Sequence, residues 1–122
     1  MTETPNPKKD KYDLKERTAK FGENVIKFCI KLPKNEITRP IINQLVKCGT
    51  SVGANYCEAD DAESKADFKH KIGICKKESR ESKHFLRMSA IAIEEMKEEA
   101  KILWTEAKEL NLIFNSIYKK VQ

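Results

Sequence analysis

The sequence predicts an all-α fold, an up-down-up-down four-helix bundle. Three observations carry this. Apolar residues recur at steps of three and four through four separate segments. The 122 residues include only 4 Gly and 4 Pro, too few for a β-sandwich full of turns. The segments are joined by short polar connections, which suit antiparallel neighbours in a bundle. A content of 39% hydrophobic residues excludes a disordered chain. No apolar run reaches the roughly 18–20 residues that span a bilayer.

Residues 1–12 are polar and contain Pro5, Pro7, Lys8 and Lys9 with no apolar stretch behind them. They read as a disordered tail rather than a signal peptide. That leaves residues 13–122 as the bundle domain, with a cytoplasmic location expected.

The first helix is expected from Asp13 to Leu32, with Asp13 as N-cap and Glu16 as its return partner. Leu14, Phe21, Val25, Phe28, Cys29 and Leu32 share one face, and Pro33 ends the helix. The second opens at Thr38, a capping residue type, with Pro40 in the first turn, where a missing N–H is tolerated. Its main stripe is Ile41, Leu45, Cys48, Val52 and Ala59. A second stripe, Ile42, Val46, Gly49, Gly53 and Cys57, lies alongside, so this helix packs on two sides. Each glycine weakens a helix by about 1 kcal/mol relative to Ala. A pair four residues apart therefore points to the close approach of another helix.

The acidic stretch Glu58, Asp60, Asp61 and Glu63 separates helices two and three. Ser64 caps the third helix, with Asp67 at the reciprocal position. Its core stripe is Phe68, Ile72, Cys75, Ser79, Ser82, Leu86 and Ser89, and the serines imply tight helix contact. The fourth helix, Glu94 to Val121, carries Met96, Ala100, Leu103, Ala107, Leu110, Phe114, Ile117 and Val121 in alternating steps of four and three, a bundle seam. The junction near Ser89 to Ile93 has no Gly or Pro to mark it. The cysteines, Cys29, Cys48, Cys57 and Cys75, lack metal-ligand spacing and are expected to be buried free thiols.

Charge is unevenly distributed. Residues 51–70 hold two basic and five acidic side chains, whereas residues 71–90 hold six basic and two acidic ones. At about 100° per residue, Lys69, Lys76, Arg80, Lys83 and Arg87 form one narrow stripe, about a quarter-turn from the core stripe. Aligned like charges repel, and a line of this kind is the footprint expected for phosphate contacts with RNA or DNA. With most Phe on core stripes, contact should run through phosphate and shape, with little base readout. The opposite flank of helix three carries Ile74, Phe85 and Met88. Together with Ile42 and Val46 they exceed what one small bundle buries, which implies an interface between copies of the chain.

The Glu81–His84 and Asp67–His70 pairs have the i, i+3 spacing of bundle metal sites. Both project away from the core stripe and no seam Glu opposes them, so no metal or cofactor is expected. There is no nucleophile elbow and no phosphate-binding Gly-rich loop, and Ser51 has no general base at suitable spacing. A non-catalytic protein is expected.

The pattern S-x-G-A-N-x-x-E-A, carried by Ser51, Gly53, Ala54, Asn55, Glu58 and Ala59, is followed by S-x-x-D-F at Ser64, Asp67 and Phe68, then by Lys77-Glu78. With Leu32-Pro33-Lys34 upstream and the run Leu110 to Ile117 downstream, it resembles the four-helix-bundle family whose founding members are encoded in intervening sequences of 23S ribosomal RNA genes. Cys48, Cys57 and Cys75 depart from the pattern, where Ser or Ala is more usual. The resemblance implies assembly as a homo-oligomeric ring, a pentamer. It also implies kinship with the accessory variability protein of diversity-generating retroelements, which binds nucleic acid and a reverse transcriptase through a basic ring. Two readings of function follow. One is binding of structured RNA or DNA through the helix-three stripe. The other is an adaptor docking a reverse transcriptase or another protein through the acidic loop and Ile74, Phe85 and Met88. Within the motif, Ser51, Gly53, Asn55, Glu58, Ser64, Phe68 and Glu78 are read as structural, with Asn55 and Glu58 satisfying helix ends or pairing with a basic neighbour.

Overall fold

A computed structural model describes residues 13–121. The tail expected over residues 1–12 lies outside them. The described residues form four helices and no strand: α1 Leu14–Lys31, α2 Thr38–Asp60, α3 Lys65–Ala92 and α4 Lys97–Lys120, with a 3-10 turn at Glu94–Met96 before α4. Each helix packs on the next in sequence, and α4 returns to α1. The α1–α4 contact is the thinnest of the four.

The core follows the predicted stripes. Phe21, Val25 and Phe28 of α1 meet Leu45 and Val52 of α2, Ile72 and Leu86 of α3, and Leu110 and Phe114 of α4, all essentially without solvent exposure. The serines of α3 are buried with their hydroxyls satisfied. Ser79, Ser82 and Ser89 donate to the carbonyls of Cys75, Glu78 and Phe85, one turn back, at 2.8 Å each. Their small side chains keep α3 close to its neighbours without leaving an unpaired polar group in the core.

The glycine pair of α2 does what its spacing implies. A Cβ on Gly49 would sit 2.9 Å from Val25 Cγ1, and one on Gly53 would sit 3.3 Å from the backbone carbonyl of Thr18. These positions let α1 and α2 approach backbone to side chain, an approach that supports the packing of Val25 into the core.

The caps divide. At α1 the Asp13 carboxylate accepts from the Glu16 N–H at 3.3 Å, and at α3 the Ser64 hydroxyl accepts from the Asp67 N–H at 3.0 Å, both as predicted. At α2 the cap is Asn35 instead of Thr38. The Asn35 Oδ1 accepts from the N–H groups of Ile37 and Thr38 at 2.8 and 2.9 Å. The Thr38 hydroxyl is turned inward, donating to the Pro33 carbonyl at 2.6 Å and accepting from the Asn35 N–H at 2.9 Å. The connection after Pro33 folds back on itself, so Thr38 locks the turn while the longer Asn side chain reaches the orphan donors.

Two further expectations are corrected. Cys57 is exposed, whereas Cys29, Cys48 and Cys75 are buried, because the second stripe of α2 turns outward beyond Gly53. Helix α3 runs on to Ala92, where Ile93 adopts an extended conformation with φ −131° and ψ 92°. Glu94–Met96 then form the 3-10 turn, so α4 starts at Lys97 rather than Glu94. A β-branched residue that readily leaves the helix supplies the break that no Gly or Pro marks. Ile42, Val46 and Phe85, expected at an interface between copies, are partly buried against the edge of the core. All three keep part of their side chains in solvent. The exposed large apolar side chains are instead Ile26, Ile30, Ile37, Ile91, Ile102 and Leu112.

Candidate nucleic-acid interface

The α3 stripe faces the flank of α4. Asn111 of α4 donates to the Lys76 carbonyl at 2.8 Å and to the Ser79 hydroxyl at 3.2 Å, fixing the register between the two helices. In that register the stripe lysines lie over aromatic rings of α4. The Lys69 and Lys76 ammonium groups are 4.8 and 4.3 Å from the centre of the Tyr118 ring, and that of Lys83 is 5.5 Å from Trp104. Gly73 leaves room for Tyr118, since a Cβ there would lie 3.3 Å from the ring. Each such contact contributes about 0.5–1 kcal/mol at an exposed site and orders a side chain that would otherwise be mobile. Arg80 and Arg87 remain exposed.

Helix α4 contributes its own cations. Lys97, Lys101, Trp104 and Lys108 repeat at steps of four, three and four, and so share the flank that meets α3. Lys108 also lies over Trp104, 5.6 Å from the ring centre. Between the two helices, toward the C-terminal end of α3, runs a groove of about 560 Å³. Leu86, Ala90 and Ala100 floor it. Arg80, Lys83, Arg87, Lys97, Lys101 and Trp104 wall it, together with His84.

The acids lie elsewhere. On α4, Glu99 pairs with Lys31 at 2.6 Å, and Glu106 and Glu109 pair with Arg17 at 2.8 and 3.0 Å, all toward α1. Glu58 of α2 pairs with Lys71 at 2.7 Å. Among the described residues, no carboxylate stands within ion-pair distance of the α3 stripe, Lys97, Lys101 or Lys108. The result is a face of one sign, with partly exposed aromatic rings set into it. A second groove of about 750 Å³ separates α1 from α4, but Asp13, Glu16, Glu106 and Glu109 line it beside Arg17 and Lys20, so its charge is mixed.

The other residues singled out from the sequence fall outside this face. Asn55 donates to the Ser51 carbonyl and hydroxyl at 2.9 and 2.8 Å, a contact within α2. Glu78, on the α2-ward flank of α3, has its carboxyl raised above the usual carboxylate range by burial and by the neighbouring Glu81, against the pull of Lys77, Ser51 and Lys47. Phe68 packs against the core, and Gly53 receives α1. Ile74 and Met88 are partly buried. What sequence reasoning missed is the α4 half of the basic face. The steps linking Lys97, Lys101 and Lys108 are visible in the sequence, but their facing the α3 stripe depends on the register that Asn111 fixes.

Residues 10–116 match the family described as 23S rRNA-intervening sequence protein. A crystal structure from Bacteroides thetaiotaomicron, described as a protein with unknown function from the S23 ribosomal protein family, is similar to this chain with a TM-score of 0.77 and 28% sequence identity, over 88% of this chain and 99% of that one. No curated protein matches the chain. With the match extending over nearly the whole helical domain and the four-helix architecture in accord with it, the chain belongs to the 23S rRNA-intervening sequence protein family.

Proposed function

We propose that this protein is a non-catalytic, cytoplasmic, homo-oligomeric four-helix bundle that binds structured RNA or DNA through the α3/α4 face. The observation that carries the reading is the single-sign surface. Its cations are pinned by aromatic rings or stand free in solvent, while Glu99, Glu106 and Glu109 of α4 are engaged toward α1. Cations held apart at such a density repel one another, and a polyanion relieves that repulsion while releasing its own counterions. The helices are read as alternating in direction, since Thr18 meets Gly53 and Val25 meets Gly49 in opposing sequence order. Association of copies is supported by the exposed isoleucines of α1, Ile26 and Ile30, and the family resemblance makes the assembly a pentamer. Five copies of a chain of net charge +5 carry about +25, enough to attract polyanions at long range.

The test is fluorescence anisotropy with a labelled structured RNA and a matched duplex DNA, titrated across salt. Binding whose log affinity falls linearly with log salt is expected, and Lys76→Glu, Arg80→Glu and Lys83→Glu together should abolish it while the far-UV spectrum stays unchanged. Binding that survives the triple substitution sinks the site. Absence of binding at low salt transfers the case to an adaptor docking a reverse transcriptase or another protein. That alternative has less support, because Ile74, Phe85 and Met88 are all partly buried.

A further inference from the structure

We infer that the groove beside Trp104 is a seat for an unpaired nucleotide, a base stacked on the indole with its flanking phosphates held by Lys83, Lys97 and Lys101. The inference rests on the nucleic-acid reading above and names the feature of the polymer that this face selects. Trp104 is the only tryptophan in the chain, and it is neither in the core nor fully in solvent. It stands at the wall of a groove of about 560 Å³, within the range of small-ligand clefts, roughly 300–1,000 Å³. The floor is apolar, which suits a base edge, and the rim is cationic, which suits phosphate.

The lysines over the ring make the exchange possible. Lys83 and Lys108 occupy positions 5.5 and 5.6 Å from the indole centre, with no carboxylate partner among the described residues. An arriving base takes over a ring face, and the displaced ammonium group moves on its flexible stem to an adjacent phosphate. Stacking and charge neutralisation therefore occur together. A fully paired duplex offers phosphates but no free base face, so it uses the cations alone. A phosphate-only surface would have no need of a partly exposed indole at the mouth of an apolar groove.

Three labelled RNA hairpins of one sequence test this: fully paired, with a single bulged adenosine, and with an abasic residue at the bulge. Base stacking on an aromatic side chain corresponds to about 5- to 140-fold in affinity per base. The bulged hairpin should therefore bind at least about 5-fold tighter than the other two, and it alone should quench the intrinsic fluorescence of Trp104. Trp104→Ala should erase that preference, so that the bulged and paired hairpins bind alike, while Trp104→Phe retains part of it. An abasic bulge that binds as well as adenosine overturns the seat, and so does unquenched fluorescence in the unaltered protein, whatever the folding of the variants. Failure of the broader reading looks different: the paired hairpin would then bind the Lys76→Glu, Arg80→Glu, Lys83→Glu protein as well as the unaltered one.

Discussion

At Gly49 a single methyl group decides how near α1 and α2 can lie. The Val25 side chain that it would strike is fully buried and branched, so it cannot swing away. Overpacking of this kind costs about 1–3 kcal/mol, against a helix-propensity gain of about 1 kcal/mol. Gly49→Ala should therefore lower stability in urea unfolding by up to about 2 kcal/mol, and Val25→Ala combined with it should be less damaging than the two losses added together. Gly22 is the control: a Cβ there meets Thr50 Cα at 3.5 Å, ordinary contact, so Gly22→Ala should be neutral or stabilising by up to about 1 kcal/mol. Equal losses at both positions would remove the close-approach argument. The thiols separate on similar grounds. Burial pushes Cys29 up to about 11 and Cys75 up to about 12, and Cys48 is raised too. At pH 8 a thiol at 11 is ionised to about one part in a thousand. Native protein should show one fast-reacting thiol, Cys57, and the other three only in denaturant. The buried thiols hold their protons to higher pH when folded than when unfolded. Their contribution is therefore intact below about pH 8.5 and is lost as pH rises toward 11, by up to about 1.4 kcal/mol per pH unit for each. Stability should fall across pH 9–11, and less steeply in Cys75→Ala.

Each helix–helix contact is held by a different chemistry, and the α1–α4 contact relies most on charge. Arg17 makes a two-pronged bond to Glu106, Nε to Oε2 and Nη2 to Oε1, both at 2.8 Å, with Glu109 at 3.0 Å from the same Nη2. The hydrogen bond to Glu106 is the main cause of the Arg17 pKa being raised further, so the group stays charged throughout. The pair is partly exposed and water screens it, yet its fork geometry places it above an ordinary surface pair. Arg17→Ala should cost about 1 kcal/mol in urea unfolding, and less at high salt. Lys15→Ala should cost close to nothing, because Lys15 and Asp60 are 61% and 53% exposed. The elements themselves were largely legible in the sequence. The α4 seam from Ala100 to Phe114 is buried as its spacing predicts, and Asp13 and Ser64 cap as their residue types predict. The α2 cap was not legible, since Thr38 and Asn35 are both capping types and only the fold-back after Pro33 decides between them. Nor was the break at Ile93, which depends on a conformation rather than a breaker residue.

On the scale of the whole molecule, one feature escaped a helix-by-helix reading. The α3 stripe is visible as a spacing, but its meeting Trp104, Lys97 and Lys101 requires a tertiary register that no single helix encodes. The same register turns Glu99, Glu106 and Glu109 of α4 toward α1, away from the cationic groove. Such a separation matters most in an assembly, where like faces are repeated around an axis and their fields add. Ile30 is 69% exposed and Ile26 41% exposed on α1. By helical spacing they lie on the flank that continues past Val25 and Gly22 toward α2. Burying that flank between copies removes apolar surface from water at roughly 25 cal/mol per Å² and leaves the α3/α4 face free. Ile30→Asp should therefore dissociate the assembly, with sedimentation mass falling toward the 14.1 kDa of one chain and helix content unchanged. Its consequence for binding is then quantitative. Each phosphate neutralised on duplex DNA contributes about 0.9 to the slope of log affinity against log salt. If several protomers engage one polymer, Ile30→Asp should reduce that slope as well as the affinity. If the slope is the same before and after dissociation, one protomer's face is the whole binding site, and the proposed ring would serve some purpose other than adding charge.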